Sequence, residues 1–271
     1  MSHVELTRRV FARSWREIIG RSEQFLAISA PPIFVLMLLG YLLSQMSVQL
    51  SASGYLASQQ HLRLYLASAY LVRYLEWLVA FIAFGALAAM AEGARTVSAS
   101  FQRVRGVFGR LAGLSLLIAP AFLITGLASS LPALLPRMVA GAPKWLASPW
   151  MLYPWTWLLF TLFALLLFGV PALIDRPVSS LDALAEGARA SLGTFLPRAA
   201  IVGAFEIALM IAVPLVYLWL GRSLQHSGNI RAVLLIYGLL STFAAKLVEF
   251  AGLYAICVMY RELRQQRAVT G

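Results

Sequence analysis

The sequence predicts an all-α, polytopic membrane protein: six transmembrane helices, three cytoplasmic interfacial amphipathic helices, and a threefold repeat of one such helix followed by two spans. Three observations predict it. The 271 residues are 61% hydrophobic and 12% charged with mean hydropathy +0.79, about half the charge of an ordinary soluble domain. Long apolar runs alternate with shorter polar segments. The basic residues, which leave a net charge of +11, concentrate in every second polar segment.

Taken in order, the elements are these. From about residue 4, Val10, Phe11, Trp15, Ile18 and Ile19 share one helical face at 100° per residue, with Arg9, Arg13 and Arg16 opposite. The first span covers 25–48, where Pro31 and Pro32 bend the helix or begin its straight part. A second span, 64–91, contains Arg73 and Glu76 and the small residues Ala83, Gly85, Ala86 and Ala89, which permit close helix contact. Another amphipathic segment from about 96 sets Phe101, Val104, Phe108 and Leu111 against Arg95, Arg103 and Arg110. The third span is 111–135, kinked at Pro120, and the fourth is 145–174. Trp145, Trp150, Trp155 and Trp157 read as an interfacial belt at the start of the fourth span. A third amphipathic segment follows Pro177 and a Ser179-x-x-Asp182 capping pattern, with Leu181, Leu184, Ala188 and Phe195 against Asp182, Glu186 and Arg189. Spans five, 199–220 with Glu206 and Pro214, and six, 232–260 with Lys246 and Glu249, complete the chain. Each run is long enough to cross ~30 Å of hydrocarbon at ~1.5 Å per residue.

Charge sets the expected orientation. Fifteen Arg residues fall in the N-terminal segment, the second-to-third and fourth-to-fifth connections and the C-terminal tail, against five basic residues on the other side. The positive-inside rule therefore places both termini in the cytoplasm. Topology accounts for the net charge, and no compact basic domain is present to bind nucleic acid. The N-terminal segment does not read as a cleavable signal peptide, because 1–24 precede the first apolar run and 45–50 offers no small-x-small site.

The three amphipathic segments begin near 4, 96 and 179, which divides one membrane domain into units of about 1–92, 93–175 and 176–271. Arg73-Tyr74-Leu75-Glu76-Trp77 also matches Lys246-Leu247-Val248-Glu249-Phe250 in pattern, although the fourth span lacks such charges. The junction Pro171-Ala-Leu-Ile-Asp-Arg-Pro-Val-Ser-Ser-Leu-Asp-Ala-Leu, its continuation Ala190-Ser-Leu-Gly-Thr-Phe195, and the ending Tyr260-Arg-Glu-Leu-Arg264 resemble a broad group of bacterial six-helix inner-membrane proteins. That group includes the membrane domain found beside glycerophosphoryl diester phosphodiesterases. The resemblance implies the layout and an association with lipid or envelope biology. It does not carry over the diesterase activity, since no such catalytic domain is expected here.

No catalytic motif emerges: there is no phosphate-cradling glycine loop, nucleophile elbow or His-Glu-x-x-His. His3, His61 and His226 are scattered, Cys257 has no disulfide partner, and neither a metal nor a cofactor is expected. The candidate site is the charge set at membrane depth, Arg73, Glu76, Glu206, Lys246 and Glu249, because such residues are costly in hydrocarbon and serve either function or helix registration. Two ion pairs at three-residue spacing would leave Glu206 as the unpaired acid. A second candidate is the membrane-surface set Arg9, Arg13, Trp15, Arg16, Arg103 and Arg110, suited to anionic lipid. The expected function is that of a non-enzymatic accessory or scaffold component with membrane-protein partners. The alternative is a transporter or lipid-handling protein that uses the charge cluster.

Overall fold

The computed structural model describes residues 2–52, 59–138, 143, 148–176, 178–224 and 230–270. Lys144, Trp145, Pro177 and His226 lie outside the described residues, as do the side chains of His61, Arg63, Arg137, Trp150, Arg222 and Arg231. Nine helices and no strands are found among the described residues: α1 His3–Gly20, α2 Ser22–Ala52, α3 Gln59–Ala91, α4 Val97–Met138, α5 Pro149–Leu167, α6 Gly169–Asp175, α7 Ser180–Ser191, α8 Phe195–Leu224 and α9 Ile230–Thr270. Six stretches are long and apolar enough to cross a membrane, in α2, α3, α4, α5 with α6, α8 and α9. The chain is thus an all-helical, multi-pass membrane protein.

Local chemistry sets several boundaries. Ser2 caps α1 by accepting from the Glu5 N–H at 3.2 Å, and Ser179 caps α7 by accepting from the Asp182 N–H at 3.1 Å, as the Ser-x-x-Asp spacing predicts. Gly93, at φ +96°, ends α3, and there the Ala94 N–H bonds back to the Ala89 carbonyl. Glycine adopts this left-handed conformation without steric penalty. Only Arg21 interrupts the passage from α1 to α2. The helices run through Pro31, Pro32, Pro120 and Pro214 without a break in the assignment.

Two expectations change. The second amphipathic segment is not a separate helix: it forms the first turns of the 42-residue α4, which continues into the third span. Its apolar residues Val104 and Leu111 are buried against α3, where Gly85 lets them approach, so continuing the helix buries more apolar surface than turning along the membrane would. In α7 the buried face is Ala183, Gly187 and Ala190, while Leu181 is 65% exposed. Small residues face inward because α7 crosses the break between α5 and α6 almost backbone to backbone. A Cβ on Gly187 would stand 2.4 Å from the Gly169 nitrogen.

The spans divide into an inner and an outer set. The second, fourth and sixth bury 56, 56 and 44% of their most apolar stretches, against 22, 28 and 12% for the first, third and fifth. Each outer span packs on two inner ones: α2 on α3 and α9, α4 on α3 and α5–α6, α8 on α5 and α9. Along the spans the packing is lopsided. Among the described residues, and apart from Pro132 of α4, buried apolar side chains begin at Phe81 in α3, Phe163 in α5 and Phe250 in α9, and stop at Ile33 in α2, Ile118 in α4 and Ile201 in α8. All of these positions lie toward the end where α1 and the tail of α9 meet, called the basic end below. The core therefore occupies one half of the bundle, and an aromatic group of Trp77, Phe81, Phe122 and Phe163 lies at its edge.

Candidate functional site

All five charged residues predicted at membrane depth sit just past the edge of this core. On α3, the Arg73 guanidinium pairs with Glu76 at 2.6 Å, and Glu76 is the more enclosed partner, with Oε1 facing Gly40 of α2. On α9, Lys246 pairs with Glu249 at 2.7 Å. One helical turn separates the members of each pair, the geometry that three-residue spacing predicts. Glu206 lies on α8 next to Phe205, whose ring faces Gly252 of α9, and so stands close in depth to Glu249. Its Oε1 is buried and finds no hydrogen-bond partner among the described residues. The bundle thus holds two separate pairs and one solitary acid on three helices, with no direct bond from Glu206 to either pair among those described.

The pairs are not enclosed. The side chains of Arg73, Lys246 and Glu249 are 57, 35 and 46% exposed on the isolated chain, within spans Ala67–Ala91 and Ile236–Arg267.

A larger polar assembly occupies the basic end, where the charge pattern pointed to topology and a lipid-facing surface. Arg13 of α1 bonds Glu17 at 2.9 Å and reaches Glu262 of α9. Burial works against the Arg13 charge, but hydrogen bonds to Glu17 and Glu262 outweigh it and hold the guanidinium more firmly protonated than usual. Glu17 also accepts from the Tyr254 hydroxyl. Next to it, Arg264 pairs with Asp175 at the end of α6 and lies 3.7 Å from Glu92. Arg176 reaches Glu186 of α7 at 3.5 Å. Arg21 and Gln24 donate to the Ala94 carbonyl at 3.5 and 3.0 Å and so hold the α3–α4 turn. This network ties α1, α3, α6, α7 and α9 together at one level.

The predicted surface residues separate. Arg13 belongs to the network, whereas Arg9, Trp15, Arg16, Arg103 and Arg110 are exposed. Arg9 makes a helical-turn pair with Glu5. The indole N–H groups of Trp155 and Trp157 donate to the carbonyls of Ala128 and Ala199 at 2.7 and 2.8 Å, linking α5 to α4 and α8. Arg198, counted with the connecting segments, is 5% exposed and donates to the Thr161 carbonyl at 3.0 Å. Its place among apolar residues in the first turn of a helix is the signal that could have marked it. Among the described residues no His, Cys, Asp and Glu cluster suited to a metal occurs. The chain matches no protein-family model, and neither a curated protein nor a solved structure is detectably similar to it.

Proposed function

We propose that the protein is a non-enzymatic subunit or scaffold of a membrane assembly, seated in a bacterial inner membrane with both termini cytoplasmic. The exposure of the two ion pairs at membrane depth carries this reading. A charge facing hydrocarbon costs ~2.5–3.5 kcal/mol even on the lenient insertion scale, and Arg73, Lys246 and Glu249 all present open surface. A helix of another protein or of a second copy, laid over these faces, removes that cost. The well-packed basic end supplies the rigid base that such a component needs. The division into inner and outer spans, each outer span resting on two inner ones, also supports the threefold repeat over 1–92, 93–175 and 176–271. The middle unit departs from it by lacking the charge pair and by fusing its amphipathic segment to α4.

The test is photo-crosslinking in native membranes from Leu75 and Leu239, exposed positions on the paired helices. Adducts larger than the 29.7 kDa chain, lost in a Lys246→Leu/Glu249→Leu double variant, are expected. Lipid adducts alone, with a lone monomer in mild detergent, would overturn the proposal.

Glu206 favours a second reading, a transporter or lipid-handling protein, because a buried carboxylate oxygen without a partner among the described residues suits a proton or a polar substrate group. Liposome flux of candidate solutes and lipids should then fall in Glu206→Gln. Equal flux with and without the protein would end this reading.

A further inference from the structure

We infer that the junction of α1 and α2 seats an anionic phospholipid, its phosphate between Arg21 and Arg95 and its acyl chains along α1. This inference rests on the membrane reading and is independent of the scaffold proposal.

The first support is the division of α1 into three faces. Leu6, Val10 and Ser14 are buried against the bundle. Val4, Trp15 and Ile19 are 78, 69 and 56% exposed, while Glu5, Arg9 and Arg16 form the polar side. At ~100° per residue the three sets are centred roughly 90–150° apart. A helix wholly in water needs one apolar face, toward its protein. Two apolar faces and one charged face suit a helix that touches protein, bilayer and water at once. Arg8 falls within the outer apolar face and is long enough to extend its charge to the headgroups.

The second support is the concavity where that face ends. A cavity of about 480 Å³ is lined by Gly20, Arg21, Ser22, Glu23, Gln24 and Arg95. Its lining begins one residue beyond exposed Ile19 and ends, at Gln24, two residues before exposed Leu26 on α2, so apolar surface flanks the polar hollow on the chain. Arg21 and Gln24 are fixed in place by their bonds to the Ala94 carbonyl, so the hollow is formed before any ligand arrives. Two guanidiniums and the Glu23 carboxylate give the lining one net positive charge. That balances a singly charged phosphodiester such as phosphatidylglycerol, and Arg forks match phosphate oxygens bidentately.

The experiment uses the full chain purified in mild detergent, with retention of defined lipids read by native mass spectrometry. Phosphatidylglycerol should outcompete phosphatidylcholine and phosphatidylethanolamine, and Arg95→Gln should reduce its retention about fivefold, the worth of one interfacial Arg. Trp15→Ala should weaken retention of the same lipid without changing the headgroup preference. Arg95 is exposed, so Arg95→Gln should melt with the wild type, separating lipid loss from misfolding. Three results would overturn the site: no preference for phosphatidylglycerol, an ethanolamine preference that disappears in Glu23→Gln, or competition by glycerol 3-phosphate as effective as by the lipid. A protein that proves to be a lone monomer leaves this experiment intact, so the two proposals fail separately.

Discussion

At the scale of residues, the contact made by a side chain matters more than its type. Arg264 and Arg9 are both paired arginines near the basic end, yet Arg264 faces two acids that are each only 11% exposed, while the Arg9 pair is open to water. Removing Arg264 takes the facing cation from Glu92 and leaves Asp175 with the looser 3.5 Å contact to the more exposed Arg176. Arg264→Ala should therefore lower stability by about 1–3 kcal/mol, a figure already discounted because Arg264 is itself partly exposed. Arg9→Ala should cost less than ~0.5 kcal/mol, and thermal melting in detergent distinguishes the two. Cys257 gives a cleaner readout. It is 1% exposed in the core, so a membrane-permeant maleimide should label it only after denaturation, and prompt labelling of the folded protein would contradict the packing of α9. The buried character of Cys257 was legible from its apolar run. The role of Arg264 was not, because its partners lie 89 and 172 positions away in the chain and no periodicity reports such contacts.

At the scale of elements, α7 is the most tightly constrained. Gly187 meets the backbone of Phe168 and Gly169 rather than flexible side chains, so an added methyl cannot be accommodated by a rotamer change. Gly187→Ala should destabilise by about 1–3 kcal/mol. Gly109→Ala has open space around it and should be neutral or slightly stabilising, since alanine is favoured over glycine inside a helix by ~1 kcal/mol. If both variants melt alike, α7 does not cross the α5–α6 break as described. The single apolar face expected for α1 divides, with Val10 buried and Trp15 and Ile19 exposed, but the cap of α7 could be read locally, because it depends on residues three apart. The inward face of α7 could not, since a stripe of Ala and Gly scores as less apolar than Leu181 and Leu184 although it allows the closer approach. The break at 168 is followed by Gly169 and Pro171, and Pro171 has no N–H to bond the Leu167 carbonyl that ends α5.

At the scale of the molecule, the core occupies one half of the membrane bundle. Amide hydrogen exchange should be slowest near 81–91, 163–173 and 250–260 and faster near 34–45 and 236–245, since protection follows local packing. Uniform protection along the spans would refute the lopsided core. This asymmetry also gives the charge cluster its meaning: all five residues lie past the packed half, where the isolated chain leaves Arg73, Lys246 and Glu249 open and encloses Glu76 and Glu206.

Composition and periodicity alone determined that the chain is helical, that six segments suffice to cross a membrane, and that five ionisable residues fall within them. Those are properties of hydrogen-bonding geometry and transfer free energy, which act on each segment wherever it sits. Tertiary structure alone decided which spans are inner and which outer, that α4 is one helix, that Trp155 and Trp157 join helices, and that the basic segments form a network. It also separated the five charges into two pairs and a solitary Glu206. These outcomes depend on which surfaces meet, and in an apolar bundle nearly every face is greasy enough to meet another. Close approach, long-range ion pairing and orphaned polar atoms make the selection, and none of them is encoded within a single helix.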